Sequence, residues 1–378
     1  MSLAIHQLLR TSPLDAAAID RFIRHHHFPI VEGPHTTFVF RGDVDAVHLR
    51  HWVFGLGSNQ AFRRVPGTDL WFLVIELPPR SRVEYKFEIQ SGGHARWIRD
   101  PLNPNLAHDP FGANSVAQAH GYDTPDWVHY DAEARPGALE EVTLEKTPFG
   151  DSRRLTIYLP ARFRVTRRYP LLVVHDGGDY LRFSALKTVL DNLIHRLEVA
   201  PMIVALTHPH DRLIEYANDP THADFIVKTV VPYMEQHYPL FPAASSRCLM
   251  GASFGGVASL STAWRHPGVF GRLLLQSGSF AFTDIGENRR GPAFDRVVSF
   301  VNAFREAPGR PSERVFVSCG TYESLIYENR SMVPLLQTTG MEIRYEEARD
   351  GHNWENWRDR LRTALSWLFP GPLWMVYE

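Results

Sequence analysis

The hydrophobic pattern of this chain changes twice along its length. In residues 1–30, apolar residues at helical spacing predict an amphipathic helix beginning after Thr11-Ser12-Pro13. From about residue 36 to residue 89, apolar and polar residues alternate in four segments separated by turns that contain Gly and Asp, which predicts strands with one buried face. From residue 139 onward, continuous Val, Leu and Ile runs alternate with helix-like segments, a pattern typical of a mostly parallel sheet covered on both faces.

These changes predict two domains. Residues 1–135 are expected to hold the helix, an immunoglobulin-like β-sandwich and a linker, because short strands at this spacing are typical of such sandwiches. The linker is predicted from a tract rich in Pro, Asn and Gly at residues 100–114 and from irregular chain up to Pro136. Residues 136–378 are expected to form the α/β domain, with predicted strands at 154–160, 169–175, 202–206, 247–250, 273–276, 314–318 and 341–345.

Composition narrows the function classes. With 378 residues, 44% apolar residues and a net charge of −2, the chain is typical of a globular protein and shows no basic excess for nucleic acid. No apolar run approaches the roughly 18 residues that span a bilayer, and the N-terminus has no signal-peptide pattern. Cys248 and Cys319 are expected to be small buried residues in a reducing cytoplasm. Nothing in the sequence predicts the oligomeric state.

The most informative motif is Gly-x-Ser-x-Gly, at Gly251, Ser253 and Gly255. It follows a short apolar run and precedes a helix-like segment at 257–264. Because a serine hydroxyl is a weak nucleophile, a hydrolase holds it on a tight turn beside a histidine, and flanking glycines permit that turn. We therefore predict Ser253 to be a nucleophile; a structural Gly/Ser turn is the alternative.

The order of parts in an α/β-hydrolase is Ser, acid, His. His352 follows the last predicted strand and is the expected base. The acid should follow strand 314–318, where Glu323 is the nearest carboxylate and is preferred. Glu328 and Asp350 stay open as alternatives, and Glu323 could instead be a first-turn helix carboxylate.

An oxyanion hole needs two backbone N–H groups aimed at the same point. One is expected from Phe254, the residue after the nucleophile. The other is expected from Gly177 or Gly178, which follow an early strand. Asp176 is as well explained as a turn former as by any catalytic role.

Three further residues are candidates for substrate binding. Arg212 and Glu215 follow strand 202–206, and Trp354 lies beside the predicted base. Cationic and aromatic groups at the mouth of a site suit a flat anionic ligand. An Arg212–Glu215 ion pair that locks the loop is an equally good interpretation.

No metal site or cofactor is predicted. Contiguous histidines at 25–27 point in different directions on a helix or a strand, and no second ligand set follows. Dinucleotide-binding and Walker-type glycine motifs are absent from the sequence.

Several segments together resemble the esterase D-like α/β-hydrolases, and among them the enterochelin (enterobactin) esterases. The similar segments are 175–177, 251–256, 320–323, 328–330 and 351–358, and in the front half 64–71 and 76–78. The resemblance covers nearly the whole chain, and Gly351-His352-Asn353-Trp354 is its most specific part.

The resemblance implies a cytoplasmic serine esterase that opens catecholate trilactone siderophores and releases iron. It also implies Ser253 as nucleophile, His352 as base and Glu323 as acid, with Arg212 and Glu215 near the substrate. Related enzymes act on feruloyl or acetyl esters of polysaccharides, so an acyl-carbohydrate esterase or a general carboxylesterase is the first alternative. A non-catalytic binding protein on a hydrolase scaffold is the second.

Overall fold

A computed structural model describes residues 2–53, 56–282 and 291–372 of the chain. The chain divides into two compact units. The first unit comprises Met1–Thr124 together with two short later segments, Thr321–Glu323 and Ala348–Asn353. The second unit comprises Pro125–Gly320, Ser324–Glu347 and Trp354–Glu378. Within the described ranges, no helix combines the length and apolar character needed to cross a membrane.

The first unit begins with two helices, α1 (Ala4–Leu8) and α2 (Ala16–His25). Asp15 is the N-cap of α2, and its carboxylate accepts a hydrogen bond from the Ala18 N–H at 2.8 Å. The expected helix is therefore present, but its cap lies further along the chain than Thr11-Ser12-Pro13. Ile19 and Phe22 on its buried face pack into an apolar cluster with strand residues.

Ten strands follow among the described residues of the first unit, and they form two antiparallel sheets. The strands are β1 (Ile30–Glu32), β2 (His35–Arg41), β3 (Ala46–Arg50), β4 (Asn59–Ala61), β5 (Arg63–Arg64), β6 (Leu70–Glu76), β7 (Arg82–Ser91), β8 (His94–Ile98), β9 (Leu106–Asp109) and β10 (Gly112–Gln118). One sheet has the order β1-β2-β6-β5, and the other has the order β4-β3-β7-β10-β9 with β8 paired to β7. Alternate residues of both sheets, such as Phe38, Trp71 and Phe87, share one buried cluster.

The prediction that the Pro-, Asn- and Gly-rich tract is a linker is wrong over part of its length. The strands β9 and β10 form an antiparallel hairpin, with Gly112 opposite Asp109, and β10 also pairs with β7. The Asp109 carboxylate accepts a hydrogen bond from the Phe111 N–H at 2.7 Å. The turn-forming residues that suggested a linker therefore close a hairpin. The division between the units falls after Thr124 rather than after residue 135, and Trp127 is buried in the core of the second unit.

In the described part of the second unit, eight strands form one sheet. Its strands are β11 (Ala138–Leu144), β12 (Arg153–Leu159), β13 (Leu171–Val174), β14 (Ile203–Thr207), β15 (Arg247–Ala252), β16 (Arg272–Gln276), β17 (Arg314–Gly320) and β18 (Glu342–Ala348). The order is β11-β12-β14-β13-β15-β16-β17-β18. β11, β12 and β14 pair antiparallel, whereas β14, β13, β15, β16 and β17 pair parallel.

Helices connect these strands. They are α3 (Gly177–Phe183), α4 (Leu186–His195), α5 (Arg212–Glu215), α6 (Pro220–Asp224), α7 (Val231–His237), α8 (Phe254–Arg265), α9 (Ala293–Glu306), α10 (Ile326–Thr338), α11 (Trp354–Asp359) and α12 (Leu361–Leu368). A π-helical segment, Phe225–Val230, joins α6 to α7. Alternate residues of β13 enter different clusters, Leu171 and Val173 on one face and Leu172 and Val174 on the other. The central strands are thus buried on both faces, as their continuous apolar runs predict.

Candidate active site

Ser253 lies on a sharp turn between β15 and α8. Its backbone has φ 57° and ψ −121°, a conformation that costs a non-glycine residue energy and persists only where its surroundings fix it. The Ser253 N–H donates to the Gln276 carbonyl at 2.9 Å. A Cβ atom at Gly251 would lie 2.3 Å from the carbonyl oxygen of Gly255, so glycine is needed there for the turn to close. The motif therefore forms the strand–turn–helix that a nucleophile elbow requires.

A second serine contacts Ser253 and was not singled out from the sequence. The Oγ atoms of Ser253 and Ser279 are 3.2 Å apart, and the Ser279 N–H donates to the Ser253 carbonyl at 3.2 Å. Ser279 is 1% exposed and lies on the loop after β16. Its position after a parallel strand that neighbours β15 is the only sequence signal that could have identified it, since the carboxyl ends of parallel strands share one edge.

The predicted oxyanion residues lie at the beginnings of two helices. Phe254 is the first residue of α8, and Gly177 and Gly178 begin α3. The first N–H groups of a helix have no acceptor within the helix and carry its positive end. A Cβ atom on Gly177 would lie 2.3 Å from the Leu206 Cβ, so only glycine allows α3 to begin so close to β14.

Arg212 forms an ion pair with Asp176, the residue directly before α3. Its Nε atom lies 2.9 Å from each Asp176 carboxylate oxygen, and its Nη2 atom donates to the Ala252 carbonyl at 3.2 Å. Burial acts to lower the pKa of Arg212, but attraction to Asp176 outweighs it and the pKa is raised. The Asp176 side chain is almost fully buried, whereas that of Arg212 is 33% exposed. The pair connects the beginning of α3 to the residue before Ser253.

Glu215 has different partners from those considered in the sequence. Arg153 Nη1 lies 2.8 Å from its carboxylate, and the N–H groups of residues 210–211 each donate to it at 3.0 Å. Burial acts to raise the pKa of Glu215, but contacts with His222 and Arg153 and these backbone hydrogen bonds outweigh it and lower the pKa to about 2. The loop is therefore locked by two separate pairs, Arg212 with Asp176 and Glu215 with Arg153, and Glu215 presents little surface to a ligand.

Glu323 and His352 form a hydrogen-bonded pair within the first unit. Oε2 of Glu323 lies 2.5 Å from Nδ1 of His352. The Glu323 side chain is 2% exposed and that of His352 is 36% exposed, so a buried carboxylate holds a ring that reaches solvent. The two loops are joined by their backbones, because the Thr321 N–H donates to the Ala348 carbonyl at 2.7 Å. A carboxylate that accepts a hydrogen bond from Nδ1 favours the tautomer with the proton on Nδ1, and this tautomer leaves Nε2 able to accept a proton.

The two alternative acids have other surroundings. Asp350 accepts from the Gly351 N–H at 2.7 Å, from Asn353 Nδ2 at 2.8 Å and from Arg82 Nη1 at 3.3 Å. Burial raises the pKa of Asp350 to about 6, although Arg82 opposes the rise. Glu328 is buried in the first turn of α10. Of the three candidate carboxylates, Glu323 is the one hydrogen-bonded to Nδ1 of the histidine.

Trp354 is a packing residue in this structure. It is 8% exposed, and its ring lies 5.2 Å from that of Tyr180 and 4.8 Å from that of Trp357, measured between centroids. Its carbonyl accepts a hydrogen bond from Ser184 Oγ at 2.9 Å. The sequence placed this side chain at the substrate surface, but its ring is buried in the core of the second unit and has little area left for a ligand.

Across residues 2–53, 56–282 and 291–372, no group of three or more His, Cys, Asp or Glu side chains could hold a metal ion. Cys248 and Cys319 are both buried.

The sheet order, the parallel central strands and the turn at Ser253 together define an α/β-hydrolase. The Esterase family model matches residues 147–368 of the chain. The chain therefore belongs to the Esterase family and is a carboxylic ester hydrolase. The predicted fold of the second unit and the predicted family are both confirmed.

Three comparisons show how far the similarity extends. The chain is 23% identical over 351 residues to the iron(III) enterobactin esterase of Escherichia coli O6:H1, covering 84% of this chain and 85% of that one. It is 22% identical over 248 residues to the Bacillus subtilis protein YjcH, covering 61% of this chain and 96% of that one. The structure of the Shigella flexneri enterobactin esterase, solved in the presence of enterobactin, has a TM-score of 0.75 and 22% identity, covering 92% of this chain and 97% of that one.

Proposed function

We propose that this esterase hydrolyses the ester bonds of a catecholate trilactone siderophore of the enterobactin type, so that the iron it carries is released. The observation that carries the proposal is the similarity to an iron(III) enterobactin esterase over 84% of the chain, a share larger than the second unit alone could supply, so the similarity extends into the first unit.

In the proposed mechanism Ser253 is the nucleophile, His352 the general base and Glu323 the acid that orients it. Nε2 of His352 takes the Ser253 proton as Oγ bonds to the ester carbonyl carbon. The same proton then passes to the leaving alkoxide as the ester C–O bond breaks. Water, deprotonated by His352, attacks the acyl-enzyme and restores the serine. The hydrogen bond between Glu323 and His352 supports these roles, because it fixes the ring in the tautomer that the transfer requires.

The oxyanion of each tetrahedral intermediate would be held by backbone N–H groups. We assign one to Phe254 and the other to Gly177 or Gly178, since all three lie in the first turns of helices. Donors preorganised in this way stabilise the charge that develops in the transition state.

Arg212 is the proposed contact for the anionic catecholate part of the substrate. Its side chain is one-third exposed. It donates a hydrogen bond to the carbonyl of Ala252, the residue before the nucleophile. Glu215, buried against Arg153, would act on the substrate only by holding this loop in place. We further propose that the two sheets of the first unit are an immunoglobulin-type sandwich and that the protein works in the cytoplasm.

The test is hydrolysis of ferric enterobactin by the full chain, with products separated by chromatography and identified by mass. We expect ring opening to linear fragments, and none with Ser253→Ala. A feruloyl sugar ester and a p-nitrophenyl ester are measured in parallel. Rapid cleavage of the feruloyl sugar without ring opening would replace the siderophore by an acyl-carbohydrate substrate. Equal rates for Ser253→Ala and the unmodified protein on the p-nitrophenyl ester would remove the nucleophile assignment and favour a binding protein.

A further inference from the structure

The loops that carry Glu323 and His352 belong to the same compact unit as the N-terminal sheets. Residues Thr321–Glu323 and Ala348–Asn353 cluster with Met1–Thr124, although they follow strands of the hydrolase sheet. The contacts that join them come from the beginning of β7 and from the residue before it, Ser81. The side chains of Ser81 and Arg82 reach residues one or two positions from the acid or the base.

The residue before Glu323 is held by Ser81. The hydroxyl groups of Ser81 and Tyr322 are 2.6 Å apart, and both side chains are buried. The Tyr322 ring is part of the apolar cluster formed by the two N-terminal sheets. The Tyr322 N–H also donates to the Asp350 carbonyl at 3.0 Å, so the acid loop is attached to the base loop as well as to the sheets.

The residues on both sides of His352 are held by Arg82. Its Nη1 atom lies 3.3 Å from Oδ1 of Asp350 and 3.2 Å from Oδ1 of Asn353. The same Asp350 oxygen accepts from the Gly351 N–H and from Asn353 Nδ2. The histidine is therefore flanked by two residues that are both hydrogen-bonded to one buried carboxylate, and that carboxylate is paired with an arginine of β7.

Two hydrogen bonds to backbone carbonyls reinforce the same attachment. The Arg82 N–H donates to the Arg349 carbonyl at 2.9 Å, and Arg349 Nη1 donates to the Pro79 carbonyl at 2.7 Å. Arg82 itself is almost fully buried, and Glu84 provides a second carboxylate 3.2 Å from its Nη1 atom. A buried cation with several fixed acceptors has one favourable geometry, because any displacement leaves charge unpaired in a region of low dielectric.

We propose that Ser81 and Arg82 are positioning residues for catalysis, which makes the N-terminal unit part of the catalytic apparatus. Through Tyr322 and Asp350 they fix the loops of Glu323 and His352 in the geometry that proton transfer requires. This inference rests on the proposed roles of Glu323 and His352. Neither Ser81 nor Arg82 contacts the reacting atoms in this scheme, so their effect is on the turnover rate rather than on substrate affinity.

The experiment compares Arg82→Met with the matched control Arg64→Met in the full chain. Arg64 is also an N-terminal strand arginine in an ion pair, but it is partly exposed and bonded to the exposed Asp43. With a small p-nitrophenyl ester, we expect Arg82→Met to lower kcat about 10- to 100-fold with KM changed less than about twofold, as a misplacement of about 1 Å would do. Arg64→Met should retain kcat. The rate of Ser253 labelling by a fluorophosphonate should fall in parallel with kcat.

A spectroscopic readout separates positioning from general loss of structure. The Nδ1 proton shared by His352 and Glu323 should give a low-field proton NMR signal in the unmodified protein, and that signal should broaden or vanish in Arg82→Met. If Arg82→Met does not fold, Ser81→Ala, Tyr322→Phe and their double variant decide instead. We expect each single change to lower kcat, and the double change to lower it no further than the more damaging single change.

The outcomes that overturn the inference differ from those that overturn the proposed function. A folded Arg82→Met with kcat within twofold of the unmodified protein overturns the positioning role. So do Ser81→Ala and Tyr322→Phe variants with unchanged kcat. If instead Ser253→Ala and His352→Ala keep full activity, the catalytic assignment itself is wrong, whatever the Arg82 variants show.

Discussion

Oε2 of Glu323 and Nδ1 of His352 are separated by 2.5 Å, across 29 residues of sequence. The carboxylate is buried and the ring is partly exposed, so the charge of Glu323 acts mainly on the histidine. Because low dielectric strengthens such a pair, its loss should affect both the tautomer of the ring and the stability of the imidazolium that forms during catalysis.

Glu323→Gln should lower kcat for a small ester by about 100-fold or more, the range that general acid–base groups contribute. The amide can donate to Nδ1 but carries no charge, so the tautomer with the proton on Nδ1 loses its stabilisation. Steady-state kinetics with p-nitrophenyl acetate provides the measurement. Glu328→Gln is the matched change at the alternative acid, and it should leave kcat within a few-fold of the original. If Glu328→Gln lowers kcat more than Glu323→Gln does, Glu328 is the acid that orients His352.

Ser279→Ala should lower kcat by about 2- to 10-fold, the effect expected for one hydrogen bond of roughly 1 kcal/mol. The Oγ of Ser279 is 3.2 Å from the Oγ of Ser253, and its loss frees the nucleophile to occupy other rotamers. We expect a smaller change in KM, because the hydrogen bond that is lost is the one to Ser253. Kinetics on the same ester tests this, with Ser261→Ala, another buried serine of the second unit, as control. Equal kcat values for both variants would show that Ser279 has no influence on the nucleophile.

The parts of the site that follow from local sequence were the most predictable. The glycines on either side of Ser253, between an apolar strand and a helix, predict the turn that carries this serine. The order of Ser253, Glu323 and His352 along the chain agrees with the order of the strands that precede them. These features depend on spacing within a few residues or on topology. Both can be obtained from one sequence.

Long-range pairing was not predictable in the same way. One of the two interpretations of the sequence paired Arg212 with Glu215, three residues away, whereas its partner is Asp176, 36 residues away. Which carboxylate an arginine meets depends on how strands and loops are arranged, and helical spacing alone favours the nearer one. The burial of Trp354 and the contacts of Arg82 with Asp350 have the same origin, because neither depends on neighbours in sequence.

Arg212→Met should lower the free energy of unfolding by about 3–5 kcal/mol, since it leaves the buried Asp176 carboxylate without its cation. The double variant Arg212→Met, Asp176→Asn should recover part of that loss, because the remaining amide is neutral. Urea unfolding followed by fluorescence measures both. Arg296→Met, which removes a more exposed arginine loosely paired to Asp219, serves as control and should cost less than about 1 kcal/mol. A double variant no more stable than Arg212→Met would show that the pair is not what stabilises this loop.

Asp100 should make the first unit more stable as the pH falls from 7 to 5. Burial raises the pKa of its carboxyl to about 6, against hydrogen bonds from Tyr85 and the backbone of Leu102 and Asn103 that act to lower it. A folded-state pKa above the unfolded value means that the folded chain binds the proton more tightly. Stability therefore increases as the pH falls through about 6 and stops increasing below about 4.

The variant Asp100→Asn isolates this contribution, because the other carboxyl groups titrate equally in both proteins. Between pH 7 and pH 5, the free energy of unfolding of the unmodified protein should rise relative to that of the variant by about 1 kcal/mol. Urea unfolding at the two pH values provides the difference. Glu88 and Glu215, whose pKa values are lowered to about 2, act in the opposite direction and mainly below pH 4.5, outside this window. A constant difference between the two proteins at pH 7 and pH 5 would mean that Asp100 is not the group whose protonation stabilises the fold.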